Sequence, residues 1–250
     1  MTETAQRVAV VTGASSGIGH AICADLIARG YKVYGISRKP AAFSHPAFVG
    51  ILVDMRDTNA FATIASQITE SHIDVLINDA GVALIERGLD FTRETFQTTF
   101  EINLIAPVLL TQALKNRLAH GTVITVSSIS DRLVGELHGI YSASKAALSK
   151  LFETIALEEK EITFFTVLPS YVDTPLLRSL HGQESGFEWD KILKPQNVAD
   201  LVLRLVTNEQ GLASGAKVIV VNEFLKEDTT YHEDLWGYFA ESQTLERLPR

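Results

Sequence analysis

The chain has 250 residues, 46% hydrophobic and 21% charged, with a formal net charge of −8. That length suits one large domain over residues 1–250 with a full core. The acidic balance, without a basic run, argues against nucleic acid or an anionic membrane surface as a partner. No apolar stretch reaches the length of a bilayer span, and the leading MTETAQR is too polar for a signal peptide. The single Cys23 has no partner for an internal disulfide and reads as core, so a reducing, cytoplasmic setting is expected.

Residues 7–12 (RVAVVT) are a nearly continuous β-branched run, the pattern of a strand buried on both faces. They lead into Gly13-Ala-Ser-Ser-Gly17-Ile-Gly19 and then an amphipathic stretch, HAICADLIARG, that closes on Gly30 as a C-cap. Strand, glycine turn and helix in that order are the context in which a glycine pattern is expected to bind a dinucleotide, the alternative being a glycine-rich turn with no ligand. Glycines let the backbone approach a pyrophosphate, and the helix N-terminus supplies N–H donors. The spacing is G-x-x-x-G-x-G and not G-x-G-x-x-G, so the flanking strand and helix carry this reading. Residues 32–37 (KVYGIS) are a second strand. An acid after it would bind a ribose 2′-OH, but Arg38 and Lys39 stand there instead. A guanidinium suits a 2′-phosphate, so NADP(H) is expected ahead of NAD(H).

Residues 48–53 (FVGILV) are a third strand ending at Asp54, and 57–70 a helix with Asp57 or Thr58 near its N-cap. A fourth strand, 73–78 (IDVLIN), stops at Asp79-Ala80-Gly81. Residues 92–119 carry two helical portions, broken or bent near Pro107. A fifth strand, 122–126 (TVITV), runs into Ser127-Ser128; a helix around Tyr141, a sixth strand over 162–168 and a turn from Pro169 to Pro175 follow. Residues 176–194 show no clear period and are expected as a mobile loop or lid. Residues 195–208 are another helix, 216–222 (AKVIVVN) a seventh strand, and residues 222–250 an atypical tail. Seven strands alternating with helices imply an α/β fold, a Rossmann-like doubly wound parallel sheet covered on both faces. Ligands bind such sheets at the carboxyl ends of strands, where Gly13, Asp54, Asn78, Ser128 and Thr174 fall.

The stretch GIYSASKAALSKLFETIALEE places Tyr141 and Lys145 four residues apart, on one side of a helix whose buried face carries Leu148, Leu151, Phe152 and Ile155. An ammonium near a phenol favours the phenolate and draws the Tyr pKa down from about 10, as general acid–base chemistry near neutral pH requires. Taken alone, such a pair is more often a solvated one. No His, Cys or carboxylate cluster has metal-ligand spacing.

Taken together, Thr12-Gly13-Ala-Ser-Ser-Gly17-Ile-Gly19, Asn78-Asp-Ala80-Gly81, Asn103, Ser128, Tyr141 with Lys145, and Pro169 through Thr174 resemble the short-chain dehydrogenase/reductase family over nearly the whole chain to about Asn222. The resemblance implies a Ser–Tyr–Lys–Asn site. Tyr141 would donate its proton to a carbonyl oxygen as hydride arrives from a nicotinamide. Lys145 would lower the Tyr pKa and hold the nicotinamide ribose. Ser128 would polarise the carbonyl, and Asn103 would bind a water linking Lys145 to solvent. Gly13, Ser15, Gly17, Ile18 and Gly19 would surround the adenosine and pyrophosphate, and Arg38 would meet the 2′-phosphate. Asp54 and Met55 would take the adenine edge, Asn78, Ala80 and Gly81 the ribose, and Val172 and Thr174 the carboxamide.

Four departures from the family pattern stand out. Asp79 replaces the second Asn of Asn-Asn-Ala-Gly, Ser170 a Gly after Pro169, and Ser16 a basic residue that several NADP-preferring members carry. Val221-Asn-Glu-Phe224 and the tail replace the family's Val-Asp-Gly-Gly ending. The expected activity is NADPH-dependent reduction of a small ketone, aldehyde or dicarbonyl by a homodimer or homotetramer. The alternatives are an NAD-linked alcohol dehydrogenase on the same site, or an NADP(H)-binding sensor in which chemistry has lapsed. Leu133, Val134, Leu137, His138, Leu176, Leu177, Phe187 and Trp189 either wall an apolar pocket or pack as ordinary loop.

Overall fold

The structure, a computed structural model, describes residues 6–57, 59–181, 187–222, 225 and 235–248. Its strands are β1 (Val8–Thr12), β2 (Lys32–Ser37), β3 (Phe48–Leu52), β4 (Val75–Asn78), β5 (Thr122–Val126), β6 (Thr163–Pro169), β7 (Ala216–Val221), β8 (Trp236–Phe239) and β9 (Thr244–Arg247). The helices are α1 (Gly17–Ala28), α2 (Ala60–Gln67), α3 (Arg93–Phe100), α4 (Ala106–Leu114), α5 (Gly139–Glu158), α6 (Pro175–His181) and α7 (Pro195–Thr207).

Successive side chains of β1 serve two cores. Ala9 and Val11 face one, Val8 and Val10 the other. In β4, Val75 and Ile77 join the first core and Leu76 the second. Burial on both faces is why these strands read as unbroken apolar runs. The first core is closed by α1 and α7 through Ile22, Cys23, Leu26, Val198, Leu201 and Val202. The second is closed by α2, α4 and α5 through Ile64, Leu110, Leu114, Leu148 and Phe152.

The strands form one sheet in the order β3-β2-β1-β4-β5-β6-β7-β8-β9. The pairs from β3 across to β8 are parallel, and β9 is antiparallel to β8. From β1 the chain first works outward to β3 and then returns to lay β4 on the other side, so the switch point lies between β1 and β4. A crevice opens there, at the carboxyl ends of the strands.

Among the described residues there are nine strands, where about seven were expected. The tail adds β8 alongside β7 and turns back as β9. Each has four residues, too few to show a period in the sequence. The second helix also starts later than expected, at Ala60. Asp57 instead accepts the N–H of Asn59 at 2.9 Å in the turn ahead of it, and Thr58 lies outside the described residues. The bend near Pro107 is a π-helical turn at Glu101–Ile105, directly between α3 and α4. Proline is tolerated in the first turn of α4 because it has no N–H to offer there. The stretch expected as a mobile loop begins with α6 instead, and Val172 bridges to Leu193 beyond it; residues 182–186 lie outside the described residues. Among the described residues no helix is long and apolar enough to cross a membrane.

Candidate active site

The end of β1 is tied to the end of β4. The Thr12 hydroxyl accepts the backbone N–H groups of Asp79 and Ala80, each at 2.9 Å. This clamp was not legible in the sequence, because Thr12 reads there only as the last β-branched residue of a strand. Gly13 follows with φ +74°, a left-handed conformation that suits glycine. Gly19 packs so closely that a Cβ on it would lie 2.6 Å from the Gly13 carbonyl oxygen and 2.8 Å from Asp79 Oδ2. Ser16, extended at the N-cap of α1, makes no side-chain cap bond, and of the first-turn amides the Asp79 carboxyl takes the Gly19 N–H. Gly13, Ser16, Gly17 and Ile18 line a cavity of about 510 Å³.

The same cavity runs past Asp79, Ala80 and Gly81 to Ser128, Tyr141 and Lys145. The Ser128 hydroxyl hydrogen-bonds the Tyr141 phenol and accepts the N–H of Ser130 at 3.1 Å, which fixes it at the mouth of β5. Lys145 is buried, and its Nζ donates to the Val126 carbonyl at 3.0 Å and lies 5.9 Å from the Tyr141 ring centre. Asn103, fully buried in the π-helical turn, accepts from the N–H of Val82 and donates to the Val82 carbonyl and the Ser144 hydroxyl. It therefore holds the strand-end segment behind Gly81 against α5.

The electrostatics differ from the sequence expectation. Burial, the largest effect, pushes the Tyr141 phenol above its ordinary value; Asp79 adds to this and the Ser128 hydrogen bond opposes it. Lys145 does not draw it down. Burial pushes Lys145 itself down to about 8, with Asp79 acting against that shift. For both groups, desolvation of the charged form is the largest effect.

Asn78, Ser15, Arg38, Asp54 and Met55 are not among the residues that line the cavity. Asn78 is buried beneath the cavity, its Nδ2 donating to Thr111 on α4 at 3.4 Å. Ser15 is half-buried on the turn. Arg38 is exposed beyond β2, near enough to Asp54 to favour that carboxylate. Arg56, which the sequence reading passed over, grips Asp54 with its guanidinium at 2.7 Å, and this bond is the main reason that carboxyl is held down at about 2. Met55, next to it, is half-buried. On the opposite rim Val172 and Thr174 line the cavity. Asp173 between them accepts from Arg178 of α6 at 2.6 Å and from Lys194 at 3.0 Å, which secures α6 over the opening. Ile129, Leu133, Val134, Leu176, Leu177 and Leu180 wall the far end; Phe187 and Trp189 pack beside each other outside that lining.

The chain belongs to the short-chain dehydrogenase family, which residues 7–185 match. It is an oxidoreductase of that family. L-xylulose reductase of Mus musculus is 30% identical over 239 residues, spanning 88% of this chain and 97% of that protein. The Homo sapiens L-xylulose reductase is 27% identical over 238 residues, with the same 88% and 97% shares. Among solved structures, ligand-free aldohexose dehydrogenase of Thermoplasma acidophilum matches with a TM-score of 0.79 at 24% identity, over 86% of this chain and 92% of that one. A 4-hydroxyisoleucine dehydrogenase complexed with NADH matches with a TM-score of 0.75 at 22% identity, over 86% and 96%. At these identities the solved structures establish the shared fold. The family's nicotinamide dinucleotide fits the residues present. The start of α1, where Ser16 makes no cap bond, suits a diphosphate, and one cavity joins it to the Tyr141–Ser128 pair.

Proposed function

We propose that the protein is an NADPH-dependent reductase that converts a small ketone, aldehyde or dicarbonyl to the alcohol. The observation that carries this is the continuous cavity from the start of α1 to a phenol kept protonated beside Ser128. A proton donor is what reduction needs, and a phenol pushed above its ordinary value stays protonated throughout the neutral range.

When bound, the nicotinamide supplies the hydride. The hydroxyls of Ser128 and Tyr141 hold the carbonyl oxygen, and Tyr141 delivers its proton to that oxygen as negative charge develops there. Lys145, largely protonated at neutral pH, would hold the ribose beside Tyr141. Asn103 acts behind it, fixing α5 against the strand-end segment. Gly13, Ser15, Gly17, Ile18 and Gly19 would receive the adenosine and diphosphate, and Asn78, Ala80 and Gly81 would back the ribose. Asp54 and Met55 would border the adenine, and Val172 and Thr174 would take the carboxamide. The apolar far wall suits a substrate with an alkyl or aryl substituent.

Arg38 and Arg56 both border Asp54, which supports a 2′-phosphate. The test is oxidation of NADPH and NADH side by side against alkyl and aryl ketones, dicarbonyls and ketoses, in wild type and Arg38→Asp. Wild type is expected to prefer NADPH, and the variant to lose about tenfold or more in kcat/KM for NADPH while gaining with NADH. An unchanged cofactor ratio in the variant would remove Arg38 from the site. Tight dinucleotide binding with no turnover across the panel would favour the sensor reading.

Phe96, Ile105 and Leu109 along α3 to α4, and Leu157 on α5, are exposed, as is Leu151, which was expected on the buried face of α5. Apolar faces on neighbouring helices support a homodimer or homotetramer. Light scattering of the purified protein is expected to give at least twice the chain mass; a monomer would sink this assignment.

A further inference from the structure

Asp79 is a half-buried acid that the reduction outlined above does not use. It follows β4, and its carboxyl accepts the N–H of Gly19 in the first turn of α1. Its Oδ2 lies 2.9 Å and 2.8 Å from where Cβ atoms on Gly13 and Gly19 would sit, so it fills the space behind the glycine turn. Its backbone is pinned by Thr12, and Asp79 itself lines the cavity. A carboxyl is therefore built into the floor of the anion site.

The groups that face it can be named element by element. From α1 comes the Cys23 thiol, which burial and then Asp79 push up and keep neutral. From α5 come the Lys145 ammonium and the Tyr141 phenol, while on β1 the Thr12 hydroxyl accepts the backbone N–H of Asp79. Among these groups Lys145 is the one cation, and it favours the ionised carboxylate.

We propose that Asp79 is a positioning residue for the dinucleotide: it bridges the end of β4 to the glycine turn, and its charge state sets how tightly that turn holds a diphosphate. This rests on the dinucleotide reading of the cavity. The neutral carboxyl still accepts the Gly19 N–H and adds no charge. The carboxylate places a negative charge beside a second anion, in a site where water screens it little. Burial pushes the group up to about 7 against the pull of Lys145, so the change falls within the neutral range. The sign follows: cofactor affinity is highest with Asp79 protonated and declines as pH rises through that value.

The experiment is a fluorescence titration of NADH binding between pH 6 and pH 8.5, in wild type and Asp79→Asn. NADH carries no 2′-phosphate, and its diphosphate stays ionised throughout, so the ligand contributes no titration of its own. Asn keeps the shape and an acceptor for Gly19; Asp79→Ser serves the same comparison should the amide fail to fold. The wild-type Kd is expected to rise about fivefold or more across the range, and the variant's to change less than about twofold. A wild-type Kd that stays flat would overturn the proposal. So would an equal rise in the variant, because Lys145 losing its own proton would then account for it. Absence of binding by NADH and NADPH at every pH would instead overturn the dinucleotide reading, and this inference with it.

Discussion

Replacing Tyr141 with Phe is expected to lower carbonyl reduction by about 10²- to 10⁴-fold, the range for loss of a positioned proton donor. The Kd for NADPH should stay within about twofold, because the aromatic ring, the glycine turn and Lys145 remain. The partition matters: an interaction made only as the carbonyl oxygen takes up charge appears in kcat, not in binding. A pH profile adds a second readout. Burial and Asp79 hold the phenol above its ordinary value, so wild-type reduction should show no loss from Tyr141 ionisation through the neutral range. Oxidation of the alcohol, which needs the phenolate, should rise as pH increases. Steady-state kinetics in both directions check this. Reduction that persists undiminished in Tyr141→Phe would mean that the proton comes from elsewhere.

Thr12→Val should be the most damaging of the small substitutions away from the reacting groups. Valine keeps the shape of the buried side chain but removes the oxygen that accepts two amide N–H groups, those of Asp79 and Ala80. A buried donor left unpaired costs about 1–3 kcal/mol, so the pair is expected to cost about 2–4 kcal/mol, with partial rehydration at the cavity edge. Urea denaturation measures the loss, and dinucleotide binding should weaken with it because the two strand ends that form the crevice are no longer joined. Thr12→Ser keeps the hydroxyl and should recover most of both effects. A Val variant as stable as wild type would show that water replaces the threonine oxygen at no cost.

Much of the site was legible because its pieces are local. A strand, a glycine turn and a helix start are adjacent in sequence, and the four-residue phase of Tyr141 and Lys145 follows from helix geometry alone. Ser128 lay at a strand end, and that strand was found at its full length. The π-helical turn was seen only as a bend, because proline marks the place and not the kind of distortion. The strands β8 and β9 escaped notice because four-residue segments gain their order from pairing with β7, not from their own pattern.

The sequence by itself determined the alternation of strands and helices from β1 to β7 and the burial of β1 and β4, since periodicity is a property of neighbouring residues. Only the tertiary structure decided the charges. It brought Asp79 at the end of β4 against Gly19, and within electrostatic reach of Lys145 on α5. It tied Thr12 to a segment 67 and 68 residues away. It also reversed the direction expected for the Tyr141 phenol. An ionisable group answers to the water it loses and the charges around it, and both are fixed by what the fold packs against it.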